Sequence, residues 1–225
     1  MPATLLHEAC GHLLEGDVAG RPGSAFHGRT GERVGPPFLT LVDNPAPAGE
    51  VAHYERDDEG EPGHAVVLIE DGVLRDCLLD RATGHLLGRP SNGHGRRSEY
   101  RHAPLPRMSA TFLLAGPSDP EEIVRETPRG LYVTSMHGGD TDMGGRFHLT
   151  VDEGYLIEGG RLTAPVRGAM VSGYGPEVLQ RVDRVGANLG MSMHSSACAK
   201  LDDATLTVSL GQPTIRVTAL EVWGG

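Results

Sequence analysis

Residues 64–80 read HAVVLIEDGVLRDCLLD. Two apolar runs meet at Asp71-Gly72, and Asp-Gly between such runs is a strong signal for a tight antiparallel hairpin. The same figure recurs in EGYLIEGGRLTAPV, residues 153–166, with Gly159-Gly160 at the turn. Upstream, Phe38–Val42 (FLTLV) has strand composition. Downstream, Thr205–Leu210 and Thr214–Val222 are two more strand-like runs parted by Gly-Gln-Pro. Helical signals are fewer. Thr4–Glu15 carries apolar residues at helical spacing, Pro120–Glu126 follows a capping Asp119, and Pro176–Val182 begins on a first-turn proline. Residues 16–36 and 43–64 are polar, dense in Gly and Pro, and read as loops. Strands outnumber helices and most neighbours are hairpin-like, so the expectation is α+β with a largely antiparallel sheet. No repeat, linker or composition break divides residues 1–225, which are expected to form one strand-rich domain with a helix near the N-terminus.

Composition narrows the function. The chain has 225 residues with 32 glycines and 16 prolines, yet 38% are hydrophobic, so it forms a packed core with many turns. The net charge of −10 and the short Arg96, Arg97, Arg101 cluster argue against nucleic-acid binding. The apolar runs are a few residues long, such as AVVLI at 65–69, whereas a membrane helix needs about 20. The N-terminus reaches His7-Glu8 too soon for a signal-peptide core. Three unpaired, widely spaced cysteines at 10, 77 and 198 fit a reducing compartment. Of twenty basic residues, one is a lysine, Lys200.

The chemistry concentrates in LLHEACGHLLEGD, residues 5–17. Two imidazoles with a glutamate beside the first are the residue set of a zinc hydrolase: imidazoles hold the metal and the carboxylate takes a proton from water. The histidines are five apart, which leaves them about 140° apart on a regular helix. Both can reach one metal only if the helix widens or ends between them, and Gly11 is the cheapest place for that. On spacing alone, a helix with two surface or capped histidines is an equal alternative. A third donor is required, and the candidates are Cys10, Glu15, Cys77 and Cys198. Cys10 and Cys77 read as packing residues. Cys198 lies in the small-residue stretch SSACAK, read as a loop, where nearby Lys200 would favour the thiolate.

This motif resembles that of the TldD/PmbA family of metallopeptidases, which reads H-E-x-x-x-H followed by a Leu-Glu-Gly-Asp-like segment. The likeness continues through YERDDEGEPG (54–63), VLIEDGVL (67–74), NGHGRR (92–97), LPRM (105–108), YLIEGG (155–160) and LGQPTIRV (210–217), in family order and across essentially the whole chain. The intact histidines resemble the catalytic, TldD-like branch. The resemblance implies His7, His12 and Cys198 as metal ligands, Glu8 as the catalytic residue and Zn²⁺ as cofactor. It further implies a cytoplasmic zinc metallopeptidase acting on unfolded or unstructured peptides, including leader segments of ribosomally made, modified peptides. Family members work as homodimers, or as heterodimers with a PmbA-like subunit. Two departures stand out. Ala199 replaces the glycine usual after the cysteine, and Val208-Ser209-Leu210 stands where relatives have a glycine-containing run. Full-length relatives also carry an N-terminal α/β domain ahead of the His-Glu helix, so this chain is expected to be the metal-binding half, whether as a half-length relative, one piece of a split pair or a trimmed chain.

Two other functional classes stand beside this reading. A non-catalytic peptide-binding scaffold or subunit has no need of the base Glu8, and a zinc amidohydrolase on a small molecule uses the same ligands. His27, His53, His64, His85, His102, His148 and His194 read as surface or structural. His94 and His137, each beside glycine, are the best further candidates for substrate contact. Arg96-Arg97 is a candidate carboxylate fork or a solvated loop pair.

Overall fold

Eleven residues near the N-terminus, with apolar side chains on two faces, set the architecture. In the computed structural model, which describes residues 3–45, 50–192, 196–200 and 203–224, they form a helical segment of three geometries. It comprises α1 (Thr4–Leu6), a single π turn (His7–Gly11) and a 3₁₀ turn (His12–Leu14). Glu15 then leaves helical space, and α2 (Gly16–Ala19) follows. The strands β1 (Leu41–Asp43), β2 (Val66–Glu70) and β3 (Val73–Leu74) come next, then α3 (Arg81–Leu86), β4 (Gly95–Arg96), β5 (Leu105–Pro106) and β6 (Ala110–Leu113). After α4 (Pro120–Arg125) the chain makes the long pair β7 (Arg129–Thr141) and β8 (Arg146–Glu158), then β9 (Arg161–Val166) and β10 (Met170–Tyr174). Last come α5 (Gly175–Gln180), β11 (Val182–Val185), β12 (Gly190–Met191), β13 (Ser196–Lys200), β14 (Asp203–Gln212), β15 (Ile215–Val217) and β16 (Glu221–Trp223).

Two sheets result. One runs β12-β14-β6-β1-β2-β3 with β13 added to β14; the other runs β16-β10-β8-β7 with β9 added to β8. The pairings are antiparallel except β14 against β6. The fold is α+β and largely antiparallel. Both hairpins form at the expected turns, with positive φ at Asp71 and Gly72 (49° and 75°) and at Gly159 and Gly160 (58° and 74°). That backbone matches the right-handed twist of the flanking strands.

The helical segment lies between the sheets because its two faces are both apolar. Leu6, Cys10, Leu13 and Leu14 enter the main core with Leu39, Leu41, Leu68, Ile69, Leu113, Val208 and Leu210. Leu5 and Ala9 pack with Phe147, Leu149 and Val178 beneath the second sheet. At about 1.5–3 kcal/mol per buried aliphatic side chain, this double burial dominates local helix preference.

Several expectations change. The single helix over 4–15 is instead three geometries. The strand expected over Phe38–Val42 is displaced to Leu41–Asp43, and Phe38 is 39% exposed. Helix α3 went unanticipated although Asp80 caps it, accepting from the Thr83 backbone N–H at 2.7 Å while Thr83 answers in a capping box. The run 214–222 breaks into two strands around Ala219, whose φ is 60°. The segment around Cys198 is strand β13 rather than a loop. His194 lies outside the described residues.

Candidate metal centre and its cleft

The π turn answers the spacing problem in the sequence. The backbone N–H of His12 bonds to the carbonyl of His7, five residues back, so the turn holds one residue more than an α turn. The two rings meet edge to face with centroids 4.8 Å apart. Strand β13 delivers the third group: Cys198 Sγ lies 3.4 Å from His12 Nε2. One donor atom each from His7, His12 and Cys198 falls within 4.8 Å of the others, and among the described residues no other such cluster of His, Cys or carboxylate donors is found. Around a tetrahedral Zn²⁺, nitrogen and sulfur donors stand roughly 3.3–3.6 Å apart by bond-length geometry, so the donor set fits the ion. Cys10 does not take part. It donates to the Leu6 carbonyl at 3.0 Å, and burial pushes its thiol up to about 12. Cys77 is likewise buried, with its thiol raised to about 11.

Electrostatics distinguish Cys198 from both. Burial acts to raise its pKa, but the charge of His7 and hydrogen bonds with His12 and His7 overcome that and bring it down to about 5. The imidazoles do this, not Lys200 as the sequence reading had it. His12 shifts the opposite way. Burial opposes its charge, yet Glu15 and Cys198 together hold it well above the ordinary histidine value. Thiolate beside imidazolium is the arrangement a metal ion would replace, displacing the proton.

Glu15, considered above as a ligand, is instead a hub behind His12. Its Oε2 meets His12 Nδ1 at 3.0 Å and Lys200 Nζ at 3.0 Å, and its Oε1 faces Arg107 Nε at 3.8 Å and the Met108 backbone N–H at 3.3 Å. Burial works against its charge, but Lys200, His12 and Arg107 bring its pKa down to about 2. A carboxylate on Nδ1 fixes the ring so that Nε2 points toward Cys198.

Glu8 stands beside this centre, 9% exposed. Thr141 Oγ lies 2.8 Å from both the carbonyl oxygen and Oε2 of Glu8. Gly139 rests on the other carboxylate oxygen: a Cβ there would stand 2.6 Å from Oε1, and its φ of 146° already favours glycine. The β7 backbone bulges repeatedly between Val133 and Asp140, which carries Gly138 and Gly139 over Glu8. Neither Thr141 nor the Gly139 contact was legible as functional; the glycine pair beside His137 was the available signal.

A cleft of about 510 Å³ opens over the centre. Met136–Thr141 of β7 form one wall, Ala197–Lys200 of β13 the other, with His7, Glu8 and His12 at the base. His137 lines this cleft, its Nδ1 hydrogen-bonded to Asp152 Oδ1. His94 does not. It is fully buried, with Nε2 3.0 Å from Asp43 Oδ1, and serves the core. Arg96 is also buried, donating to the carbonyls of Met108 and Thr207, and Arg97 faces Asp58, so the pair forms no carboxylate fork. A larger cleft of about 870 Å³ lies across β8, β10 and α5, meeting the first at Asp140. No described helix is long and apolar enough to cross a membrane.

His7, His12 and Cys198 thus offer an imidazole-imidazole-thiol donor set that could hold a metal ion, with the Glu8 carboxylate lining the same cleft of a strand-rich α+β scaffold. Residues 1–224 match the family described as PmbA/TldA metallopeptidase C-terminal domain, and the chain belongs to that family. It is 37% identical over 224 residues to the "Metalloprotease TldD homolog" of Haemophilus influenzae, covering 99% of this chain and 46% of that protein. It is 36% identical over 221 residues to the "Zinc metalloprotease TldD homolog" of Saccharolobus solfataricus, covering 97% and 48%. The chain thus spans about half the length of these relatives. The fold is similar to that of TldE from Thermococcus kodakarensis, with a TM-score of 0.74 at 21% identity, over 96% of this chain and 48% of that one.

Proposed function

We propose that this chain is a zinc-dependent peptidase that hydrolyses unfolded or unstructured peptides, with trimming of leader segments from ribosomally made, modified peptides as one use. The observation that carries this reading is the convergence of His7, His12 and Cys198 at the base of a cleft that also presents Glu8. In this reading His7, His12 and Cys198 hold the ion. Bound zinc would supply Lewis-acid polarisation of the peptide carbonyl and acidify water. Glu8 accepts the proton of the attacking water and passes it to the leaving amine. Thr141 and Gly139 hold the two oxygens of that carboxylate in place, which limits the reorganisation needed during proton transfer. A cleft of about 510 Å³ accepts a few residues of extended chain and excludes a folded domain, which supports unstructured substrates.

The working unit in this proposal is a dimer, either of two such chains or with a PmbA-like subunit. Met170 pairs with Trp223, and the two leave apolar side chains 45% and 62% exposed at one edge of the second sheet. A cytoplasmic setting agrees with three free cysteines. Metal analysis with a cleavage assay tests the whole reading. One zinc per chain is expected, lost in Cys198→Ala and kept in Cys10→Ala and Cys77→Ala, together with chelator-sensitive cleavage of an unstructured peptide. Zinc bound with no cleavage under any pairing of subunits would favour the scaffold reading. Zinc retained by Cys198→Ala would overturn the ligand assignment.

A further inference from the structure

Strand β13 carries Cys198 but, among the described strands, pairs with β14 alone, through a register shift between Cys198 and Lys200. Its placement against the helical segment therefore falls to side chains. Cys198 and Lys200, two apart, both turn inward while Ala199 is exposed, as alternation along a strand requires. At the cleft wall the Lys200 side chain is largely covered, 7% exposed. There Nζ meets Asp17 Oδ1 at 2.6 Å, the Pro106 carbonyl at 2.9 Å and Glu15 Oε2 at 3.0 Å. Three acceptors around one nitrogen satisfy the three donors of an ammonium group completely. A guanidinium, planar and forked, cannot aim three donors from a single atom. This chain uses arginine for the other nineteen of its twenty basic residues and keeps lysine only here.

We propose that Lys200 is a positioning residue: through Glu15 and Asp17 it latches β13 onto the helical segment, so that Cys198 stands beside His12 before a metal arrives. Glu15 joins the two halves of the centre, since the same carboxylate oxygen contacts His12 Nδ1 and Lys200 Nζ. Arg107 adds a second tie, donating to the Cys198 carbonyl while facing Glu15. The inference rests on the metallopeptidase reading for its purpose, though the latch itself is a property of the metal-free chain.

The test uses the metal-free full chain with Cys10→Ala and Cys77→Ala, so that the disulfide reagent dithiobis(nitrobenzoate) reports on Cys198 alone. Lys200→Met keeps the apolar stem and removes the charge. The expected result is Cys198 labelling at least about tenfold faster, with zinc affinity down about 10–100-fold, the usual effect of losing a group that orients a metal ligand. Asp17→Asn, which leaves the Glu15–His12 pair intact, should give a smaller increase in labelling. It also keeps the test decisive if Lys200→Met fails to fold. Cobalt(II) substitution supplies a spectroscopic signature, since a displaced Cys198 weakens sulfur-to-cobalt charge transfer per bound ion. Labelling and zinc affinity within twofold of the parent in both variants would overturn the latch. Absence of zinc binding in the parent would sink the peptidase reading instead, and the labelling rates would still decide the latch.

Discussion

The backbone N–H of His12 donates to the carbonyl of His7, and that i→i+5 bond turns a spacing unsuited to an α-helix into a pair of facing imidazoles. The widened turn is braced from outside. Gly175, at the start of α5, lies so close that a Cβ there would stand 1.7 Å from the Ala9 carbonyl oxygen. Backbone cannot yield as a flexible side-chain tip can. Gly175→Ala is expected to cost about 3 kcal/mol or more of stability and to reduce zinc uptake. Denaturant unfolding with metal analysis checks both, and a variant with the parental midpoint would show that the brace is dispensable.

If Glu8 is the base proposed above, it separates chemistry from metal binding. Glu8→Gln retains shape and the Thr141 contact but cannot take a proton. Zinc content should stay near the parental level while peptide hydrolysis falls roughly 10²–10⁴-fold, the span of general-base catalysis. Full turnover in a preparation free of contaminating protease would remove Glu8 from the reaction.

The buried pair His94–Asp43 predicts an acid limit to stability. Burial acts to raise the Asp43 pKa, but hydrogen bonds from His94, Ser109 and Thr111 outweigh it and hold the carboxyl below its ordinary value. A carboxyl depressed in the folded state contributes stability in full above its unfolded pKa of about 3.9, and loses it as pH falls through the lower folded value. Asp43→Asn should therefore cost about 3–5 kcal/mol near neutrality, because it strips a buried pair of one partner. The gap between parent and variant should narrow below about pH 4, where the unfolded parent's carboxyl begins to bind a proton that the folded one still excludes. Urea unfolding from pH 7 to pH 3 measures this; a constant gap would mean the carboxylate charge is not what stabilises the site.

His137 offers a test of the cleft wall. Its Nδ1 is engaged by Asp152, and Ser135 Oγ donates to the other oxygen of that carboxylate at 3.2 Å, so the ring is fixed at the rim. One hydrogen bond to a bound peptide is worth about 0.5–1.5 kcal/mol. His137→Ala should raise KM about 2–10-fold with kcat changed less. A fall in kcat at constant KM would place His137 in the chemical step instead.

The fold class was readable because its signals are local. Asp71-Gly72 and Gly159-Gly160 each specify a turn without help from the rest of the chain. Loops and strands of small residues resist such reading. Ser196–Lys200 lacks a periodic apolar pattern, and it becomes a strand through pairing with β14 and the burial of Cys198 and Lys200. The role of Lys200 was misjudged for the same reason: its partners Glu15 and Asp17 are distant in sequence, and only the fold turns the ammonium toward them and away from the thiol. His94 shows the opposite failure. Glycine neighbours suggested access to a ligand, whereas Asp43, fifty-one residues earlier, takes the ring into the core. Thr141 gave no signal at all, since a threonine in a strand is ordinary until a glutamate is found behind it.

Cys198 follows His12 by 186 positions, which orders the assembly of the donor set in time. A ribosome making this chain releases both imidazoles and the glutamate well before the thiol. Until β13 has been synthesised and seated, no ion can be gripped from three sides. On the proposed peptidase reading, a nascent or unfolded copy is thus a peptide without teeth, unable to cut its neighbours while it is itself the kind of extended chain proposed as substrate.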